Sequence, residues 1–307
     1  MATLRDARTL ALLAALLPAA RAVSPAPLHA YLGATPLLDG VLQPAEWADA
    51  TPFASIQAFD ANFSPVQSAL DLDISGFVKH DGKRLYFAFN ITDDLLYYLQ
   101  TPKWLPAGNA QADNLTRAGW PWFGDEVELL INAPGVFSDP FDEPTGTPGV
   151  FQMVCNLHKS RLGGAGVGGL LEGEPRSSDT AWANYQQWIY ARAMECAVRA
   201  LPGAGPGSSS VYGMEWAVDF DPLLQIAPGR FWNASQGAVE MGLNIALGDT
   251  DTPAEGDPTF GLRHEMWWAG NTSCQGHGNC HTLLSYFGTL VMEPGPRPGL
   301  EASLPKL

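Results

Sequence analysis

Apolar residues recur at every second position through most of this chain, and the three-and-four spacing of an amphipathic helix is nearly absent. The alternating runs predict strands over Phe53–Ala58, Leu72–Lys79, Arg84–Ile91, Asp125–Asn132, Val150–His158, Gln187–Val198, Tyr212–Phe220, Ala238–Leu247 and Leu283–Met292. Asp81-Gly82 separates two of them and reads as a hairpin turn. Pro44 to Ala50 reads as one short helical turn with proline at its start. Strands punctuated by Gly, Pro and Asn predict an all-β fold, a single β-sandwich with long loops. The longest loops, Leu95–Phe123 and Asp249–Cys280, carry many of the tryptophans, and loops of that length are usually functional or disordered.

One run stands out. A tryptophan-bearing loop, Gly119 to Gly124, leads into Asp125–Asn132. Alternation sends Val127, Leu129 and Ile131 to one face and Glu126, Glu128 and Asn132 to the other. Such a strand is expected to bury the first face and show carboxylates and an amide on the second, with the indole of Trp122 at its entrance. Flat apolar surface beside hydrogen-bonding groups suits a sugar ring, whose C–H face is apolar and whose rim is polar. On Val150–His158 the same alternation places Gln152, Val154, Asn156 and His158 on one face and Phe151, Met153, Cys155 and Leu157 on the other. Its polar side is a candidate floor beside Glu128. An ordinary solvated outer face produces the same pattern.

The N-terminus reads as a secretory signal over residues 1–22. Arg5 and Arg8 precede an apolar stretch from Leu10 to Ala20, and Ala20-Arg21-Ala22 is a cleavage motif. The stretch is too short to span a bilayer. The sandwich is expected over 23–293, with a disordered Pro/Gly-rich tail over 294–307. The formal charge is −15 and falls to about −17 without the signal, which argues against nucleic acid as a partner and against anionic lipid. No membrane anchor is expected. Five N-x-[ST] sequons, at Asn62, Asn90, Asn114, Asn233 and Asn271, exceed the one or two expected by chance among eleven asparagines and point to a glycosylating, extracellular route.

Four cysteines in such a chain suggest two disulfides. Cys155 and Cys196 lie in separate apolar runs, and Cys274 and Cys280 share one loop, so the simplest pairing is Cys155–Cys196 and Cys274–Cys280. That loop also holds His277 and His281, and Cys274, His277, Cys280 and His281 are a conceivable zinc set. An oxidising compartment favours the disulfide.

Taken in order, several segments resemble family 9 carbohydrate-binding modules. Leu38-Asp39-Gly40 with Trp47 is similar to the family's opening. Asp81 through Asp93, with Leu85-Tyr86 within it, is similar to its hairpin. Trp122 through Asn132 matches a "W-x-x-D-x-V-E-x-x-I-D" segment, followed by Phe151 to Asn156. Tyr212 to Val218 is similar to a "G-x-x-x-E-x-x-I" strand, through Glu215 and Val218. Gly242 to Ile245 with Asp249 and Asp251, then Phe287 to Leu290, match the closing strands. The resemblance runs over about residues 36–293. It implies a β-sandwich that binds glycan chains or chain ends without catalysis, often beside glycoside hydrolases in carbohydrate catabolism, with calcium as a structural ion.

Carried over position by position, Trp122 matches one wall of a two-tryptophan clamp, Glu128 a carboxylate that binds sugar hydroxyls, and Asn156 a polar strand position. The second clamp tryptophan falls at His281, with Trp267 and Trp268 near enough in sequence to substitute. The family's sugar-binding arginine is Val154 here. Losing one charge-assisted contact of about 1.5–3 kcal/mol lowers affinity roughly 10- to 150-fold, from the micromolar toward the millimolar range. For calcium, Asp139, Asp142 and Glu143 form one acidic run and Asp249 and Asp251 another, neither with the EF-hand pattern.

Two other classes stay open. Glu126 and Glu128 stand about 7 Å apart along a strand, a spacing permissive for glycoside hydrolysis, although the chain has no nucleophile elbow, phosphate loop or H-E-x-x-H. Relatives of the haem-binding subunit of ethylbenzene dehydrogenase use the same fold as redox partners, which would call on Met153, Met214 or Met241 as an axial ligand. A sandwich kept for extracellular protein interaction is the remaining alternative.

Overall fold

The structure, a computed structural model, describes residues 25–54, 71–96, 125–132, 150–156, 166–167, 194–200, 210–220, 225–227, 230–254, 257–269 and 287–300. Fourteen strands are present among them: β1 Leu28–Leu32, β2 Thr51–Ala54, β3 Leu72–His80, β4 Arg84–Asp93, β5 Glu126–Asn132, β6 Val150–Asn156, β7 Gly166–Val167, β8 Met194–Ala200, β9 Ser210–Asp219, β10 Gln225–Ala227, β11 Arg230–Phe231, β12 Val239–Ala254, β13 Asp257–Trp267 and β14 Gly288–Met292. No helix among the described residues is long and apolar enough to cross a membrane.

The strands form one continuous path, β6-β5-β12-β14-β1-β3-β4-β9-β8-β7, with β13 beside β12 and β2 beside β3. β1 is the corner. Its residues 28–30 pair in parallel with β14, whereas Tyr31 and Leu32 pair in parallel with β3. One layer, containing β6, β5, β12, β13 and β14, therefore passes through β1 into a second, containing β2, β3, β4, β9, β8 and β7.

The inward positions of both layers make one core. β4 contributes Leu85, Phe87, Phe89 and Ile91, β9 contributes Tyr212, Met214, Trp216 and Val218, β12 contributes Met241, Leu243, Ile245 and Leu247, and β5 contributes Val127, Leu129 and Ile131. Alternation is what puts them there. Met153, Met214 and Met241 are all core residues, filling space between the layers. At the far edge Cys155 of β6 is bonded to Cys196 of β8, with Cα atoms 6.6 Å apart. The layers are thus joined by chain at the β1 corner and by sulfur at the opposite edge.

Part of the second layer has a covered outer face as well. The segment from Leu38 to Ala50 lies across β3, β4 and β9, and Trp47, Ala50, Tyr86, Ala88 and Ala217 form a smaller apolar cluster there. Pro44 to Ala50 is not the helical turn expected from its proline. It makes successive turns closed by Glu46 N–H to Gln43 O and Ala50 N–H to Trp47 O. The buried carboxylate of Glu215 on β9 holds this segment, accepting from the backbone of Asp39 and Gly40, each at 2.9 Å, and from Trp47 Nε1 at 3.0 Å. Burial raises the pKa of Glu215 against the pull of those donors. Gly40 has φ 76°, and a Cβ on Gly213 would come within 2.3 Å of the Gly40 carbonyl oxygen, so both glycines are required for this close approach. Lys79, fully buried, reaches Asp49 at 2.8 Å and the Glu46 carbonyl, with its ammonium 5.1 Å from the Trp47 ring.

Boundaries differ from the sequence reading in several places, among them the short strands β7, β10 and β11, which were not expected. β1 was not expected, because five residues with little alternation give a weak signal. β12 continues to Ala254 and β13 follows as its antiparallel partner, so most of the expected loop from Asp249 onward is a hairpin. Its Thr-Asp-Thr-Pro and Asp-Pro content hides the period, and the register shifts twice between Thr250 and Ala254. The start of the expected tail is fastened down: Glu293 N–H donates to Ala30 O, Leu32 N–H to Gly295 O, and Arg297 Nη1 to Ala50 O.

The Asp81-Gly82 turn is present, with Gly82 at φ 87°. Beside it His80 is buried, its Nδ1 accepting from Gly82 N–H at 3.1 Å. Nε2 therefore carries the proton and donates to the Glu293 carbonyl at 2.7 Å. Burial lowers its pKa from 6.5, outweighing the Glu293 hydrogen bond and the Asp81 charge. A histidine with a depressed folded pKa stabilises the fold above its unfolded pKa, and that contribution is lost as pH falls through the folded value.

Two outcomes are expected. Urea unfolding at pH 7.5 and 5.0 will show the wild type's advantage over His80→Gln narrowing at the lower pH; an advantage constant across that window would contradict the assigned role. Replacing Cys155 and Cys196 together by alanine will lower unfolding free energy by about 2–5 kcal/mol, with reductant reproducing the loss in the wild type and having no effect of comparable size in the variant.

Candidate functional site

The strand singled out by its sequence, β5, is buried along its whole length. This corrects the expectation of one solvated face: Glu126 is fully buried, Glu128 is 3% exposed and Asn132 1%. All three are engaged in polar interactions.

Register places neighbours across this outer face. Glu128 stands opposite Ala246 of β12 on one side and Val154 of β6 on the other, and Ala246 stands opposite Trp267 of β13. One rank therefore reads Trp267, Ala246, Glu128, Val154 across four strands. In the next, Glu126 stands opposite Gly248 and Asn156, and Gly248 opposite Glu265. Leu130 stands between Asn244 and Gln152. Asn244 is fully buried and clasps Ala269, donating to its carbonyl at 3.1 Å and accepting from its N–H at 3.0 Å. That clasp holds the chain leaving β13 against β12.

Of the residues expected to hold a sugar, Glu128, Gln152 and Asn156 fall on adjoining strands. Trp122 and His281 lie outside the described residues. Trp268 belongs elsewhere: it is in the hydrophobic core, 7% exposed, and packs so closely on Gly288 that a Cβ there would meet its ring at 2.5 Å. Parity decides this, since adjacent residues of a strand face opposite sides. Trp267, not Trp268, is the tryptophan on the outer face in the rank of Glu128. Among the sequons, Asn90 and Asn233 are exposed, and Asn62, Asn114 and Asn271 lie outside the described residues, as do Cys274 and Cys280.

Of the acidic runs expected to bind calcium, the structure describes the backbone of Asp249 and Asp251 and groups Asp249 with two residues from other segments. Asp139, Asp142 and Glu143 lie outside the described residues, and Asp251 follows in β12 past a register shift. Asp249, however, is gathered with Asp93 and Asp125, all buried, each offering an oxygen within 4.8 Å of the others. Asp93 Oδ1 also accepts from Leu95 N–H at 2.8 Å. Sequence spacing gives no hint of this trio, since its members are distant in the chain: Asp93 ends β4, Asp125 immediately precedes β5 and Asp249 lies within β12. Each was nevertheless part of a segment quoted above.

No family model matches the chain, and no curated protein matches it in sequence. Solved structures match its fold. A family 9 carbohydrate-binding module from Caldicellulosiruptor kristjanssonii, in complex with cellotriose, superposes with a TM-score of 0.50 at 13% identity, covering 91% of this chain and 98% of that one. A putative carbohydrate-binding protein from Bacteroides uniformis ATCC 8492 has a TM-score of 0.50 at 10% identity, covering 89% of this chain and 100% of that one. The likeness establishes that the chain has the β-sandwich fold of these modules.

Trp268→Ala will behave as a core truncation, lowering unfolding free energy by about 3–5 kcal/mol in urea titration. A loss below about 1 kcal/mol would contradict its placement between the layers.

Proposed function

We propose that this chain is a secreted, non-catalytic carbohydrate-binding module that recognises glycan chains or chain ends, with a glycoside hydrolase as its natural partner. The observation that carries the reading is the β5–β6 outer face, where Glu126 stands opposite Asn156 in register and Glu128 one rank away, on a fold shared with a module solved with cellotriose. Trp122, three residues before Asp125, supplies the apolar platform, and Glu128 and Asn156 orient hydroxyls. An oxidising destination is supported by the Cys155–Cys196 bond and by the exposed sequons Asn90 and Asn233.

The test is a glycan array on the purified chain, followed by calorimetry with the best ligand on wild type, Trp122→Ala and Glu128→Gln. Dissociation constants in the millimolar range are expected, about 10- to 150-fold weaker than a site retaining the arginine replaced by Val154. Both substitutions should weaken binding at least about tenfold. No binding to any glycan, or binding indifferent to Trp122, would overturn the site; glycan hydrolysis abolished by Glu128→Gln would overturn the non-catalytic reading.

A further inference from the structure

We propose that Asn90 carries an N-linked glycan whose first sugar lies on an apolar ledge of the second layer's outer face. There it extends the cover begun by segment 38–50. Asn90-Ile91-Thr92 is a sequon set inside a strand. Alternation along β4 sends Arg84, Tyr86, Ala88, Asn90 and Thr92 outward, so the amide and the hydroxyl of the sequon face the same side. Asn90 is the one exposed residue among the ten of β4. Tyr86 and Ala88 are buried in the cluster that segment 38–50 completes, and the cover stops short of Asn90.

Register identifies what surrounds the asparagine. It stands opposite Ser75 of β3 and Gly213 of β9, two small neighbours that raise no wall beside it. The covering segment comes down next to Gly213, where a Cβ would meet Leu42 Cδ1 at 2.9 Å. Phe77, two residues beyond Ser75, is a diagonal neighbour of Asn90, roughly 7–8 Å away across an antiparallel pair. Its ring stacks on Trp47 with centroids 6.1 Å apart. Phe77 and Leu42 are both only partly buried at the border of the apolar cluster. A sugar ring attached at Asn90 would lay its C–H face on this carbon surface and leave its hydroxyls to water.

Asn233 is exposed too, in a different setting. It caps Ala234–Gln236, its Oδ1 accepting from Ser235 N–H at 3.1 Å, and no residue of that turn is buried. A glycan there meets solvent, so the two sequons are expected to differ in consequence. The attachment needs a lipid diphosphate-linked oligosaccharide as donor. Asn90 Nδ2 bonds to the anomeric carbon of the first sugar, the bond from that carbon to the diphosphate oxygen breaks, and the diphosphate leaves with the electron pair. Nδ2 gives up one proton to solvent, and nothing is oxidised or reduced. The proposal rests on the secretory destination proposed above and not on the sugar-binding site.

The experiment expresses the full chain, from its own N-terminus, in a eukaryotic host that keeps glycans in the high-mannose form. Deglycosylation in heavy-oxygen water followed by peptide mass spectrometry should find Asn90 converted to labelled aspartate. The secreted protein is then melted after trimming by endoglycosidase H, which leaves one sugar per site, and after stripping by peptide N-glycosidase F. Trimming should leave the melting temperature unchanged, and stripping should lower it by roughly 2–4 °C. Thr92→Ala should lose the label at Asn90 and most of that gap between trimmed and stripped forms; Thr92→Ser, which keeps the sequon, should retain both. Leu42→Ser should narrow the gap, and Ser235→Ala, which removes the other sequon while keeping its backbone donor to Asn233, should leave it intact. Where a variant fails to fold, the trimmed and stripped wild type still decide. Equal melting of those two forms, or a gap undiminished in Thr92→Ala, would overturn the proposal. Secreted chain unlabelled at Asn90 would overturn it alone, whereas chain held inside the cell without any glycan would overturn it together with the secretory reading.

Discussion

The fold depends on how two layers are kept face to face. A sandwich core is held by apolar burial, but that force has no direction, and layers joined only by it can slide. Here the relative position is fixed at both edges. At one edge β1 pairs with β14 through residues 28–30 and with β3 through Tyr31 and Leu32, so a single five-residue strand belongs to both layers. At the other edge Cys155 is bonded to Cys196. The strands between these fixed edges then need only present alternate residues inward, which is why so much of the core could come from a simple period of two.

The same logic explains why much of the sequence pattern concerns architecture. Asp39, Gly40 and Trp47 on one side and Gly213 and Glu215 on the other are two halves of one latch, in which a buried carboxylate takes three donors from a segment laid over the sheet. The latch lets β4 be apolar on both faces: Tyr86 and Ala88 are covered from outside while Leu85, Phe87 and Phe89 are covered from inside. Residues that a motif comparison would weigh as functional are therefore held in place by packing. Asp81 is a further case. Partial burial raises its pKa, but hydrogen bonds from Tyr86, Arg84, Thr35 and Lys83 win and lower it, and their effect is to close the hairpin.

What the sequence made legible was whatever alternation controls. Fold class, the inward sets of β4, β5, β9 and β12, and the Asp81-Gly82 turn all follow from period and turn chemistry. Less was legible where tertiary cover replaces solvent. Glu126, Glu128 and Asn132 look outward by parity and are outward of the core, yet they are buried, and nothing local to β5 announces a second layer of cover. Trp268 was mistaken for a surface platform because adjacent tryptophans look equivalent in sequence, whereas one residue of offset places Trp267 and Trp268 on opposite faces. β13 was hidden because a ribbon rich in Thr, Asp and Pro carries turn signals inside a strand. Asp93, Asp125 and Asp249 were unreadable as a group because only topology brings β4, β5 and β12 to one level.

The contrast between the two acidic regions shows how one strand can serve two environments. Asp125 immediately precedes β5, and its inward parity carries it to the interlayer end beside Asp93 and Asp249, while Glu126 and Glu128 of the strand lie on the opposite face. An adjacent pair such as Asp125 and Glu126 would ordinarily be spread by hydration; burial removes that screening, and the two charges then act on common surroundings through a low-dielectric medium. Burial first, and then the charges of Asp93, Asp125, Asp249 and Glu126, raise the pKa of Tyr212. Acids at successive positions of a single buried strand thus face two sides of one sheet, the interlayer end of the core and its outer face.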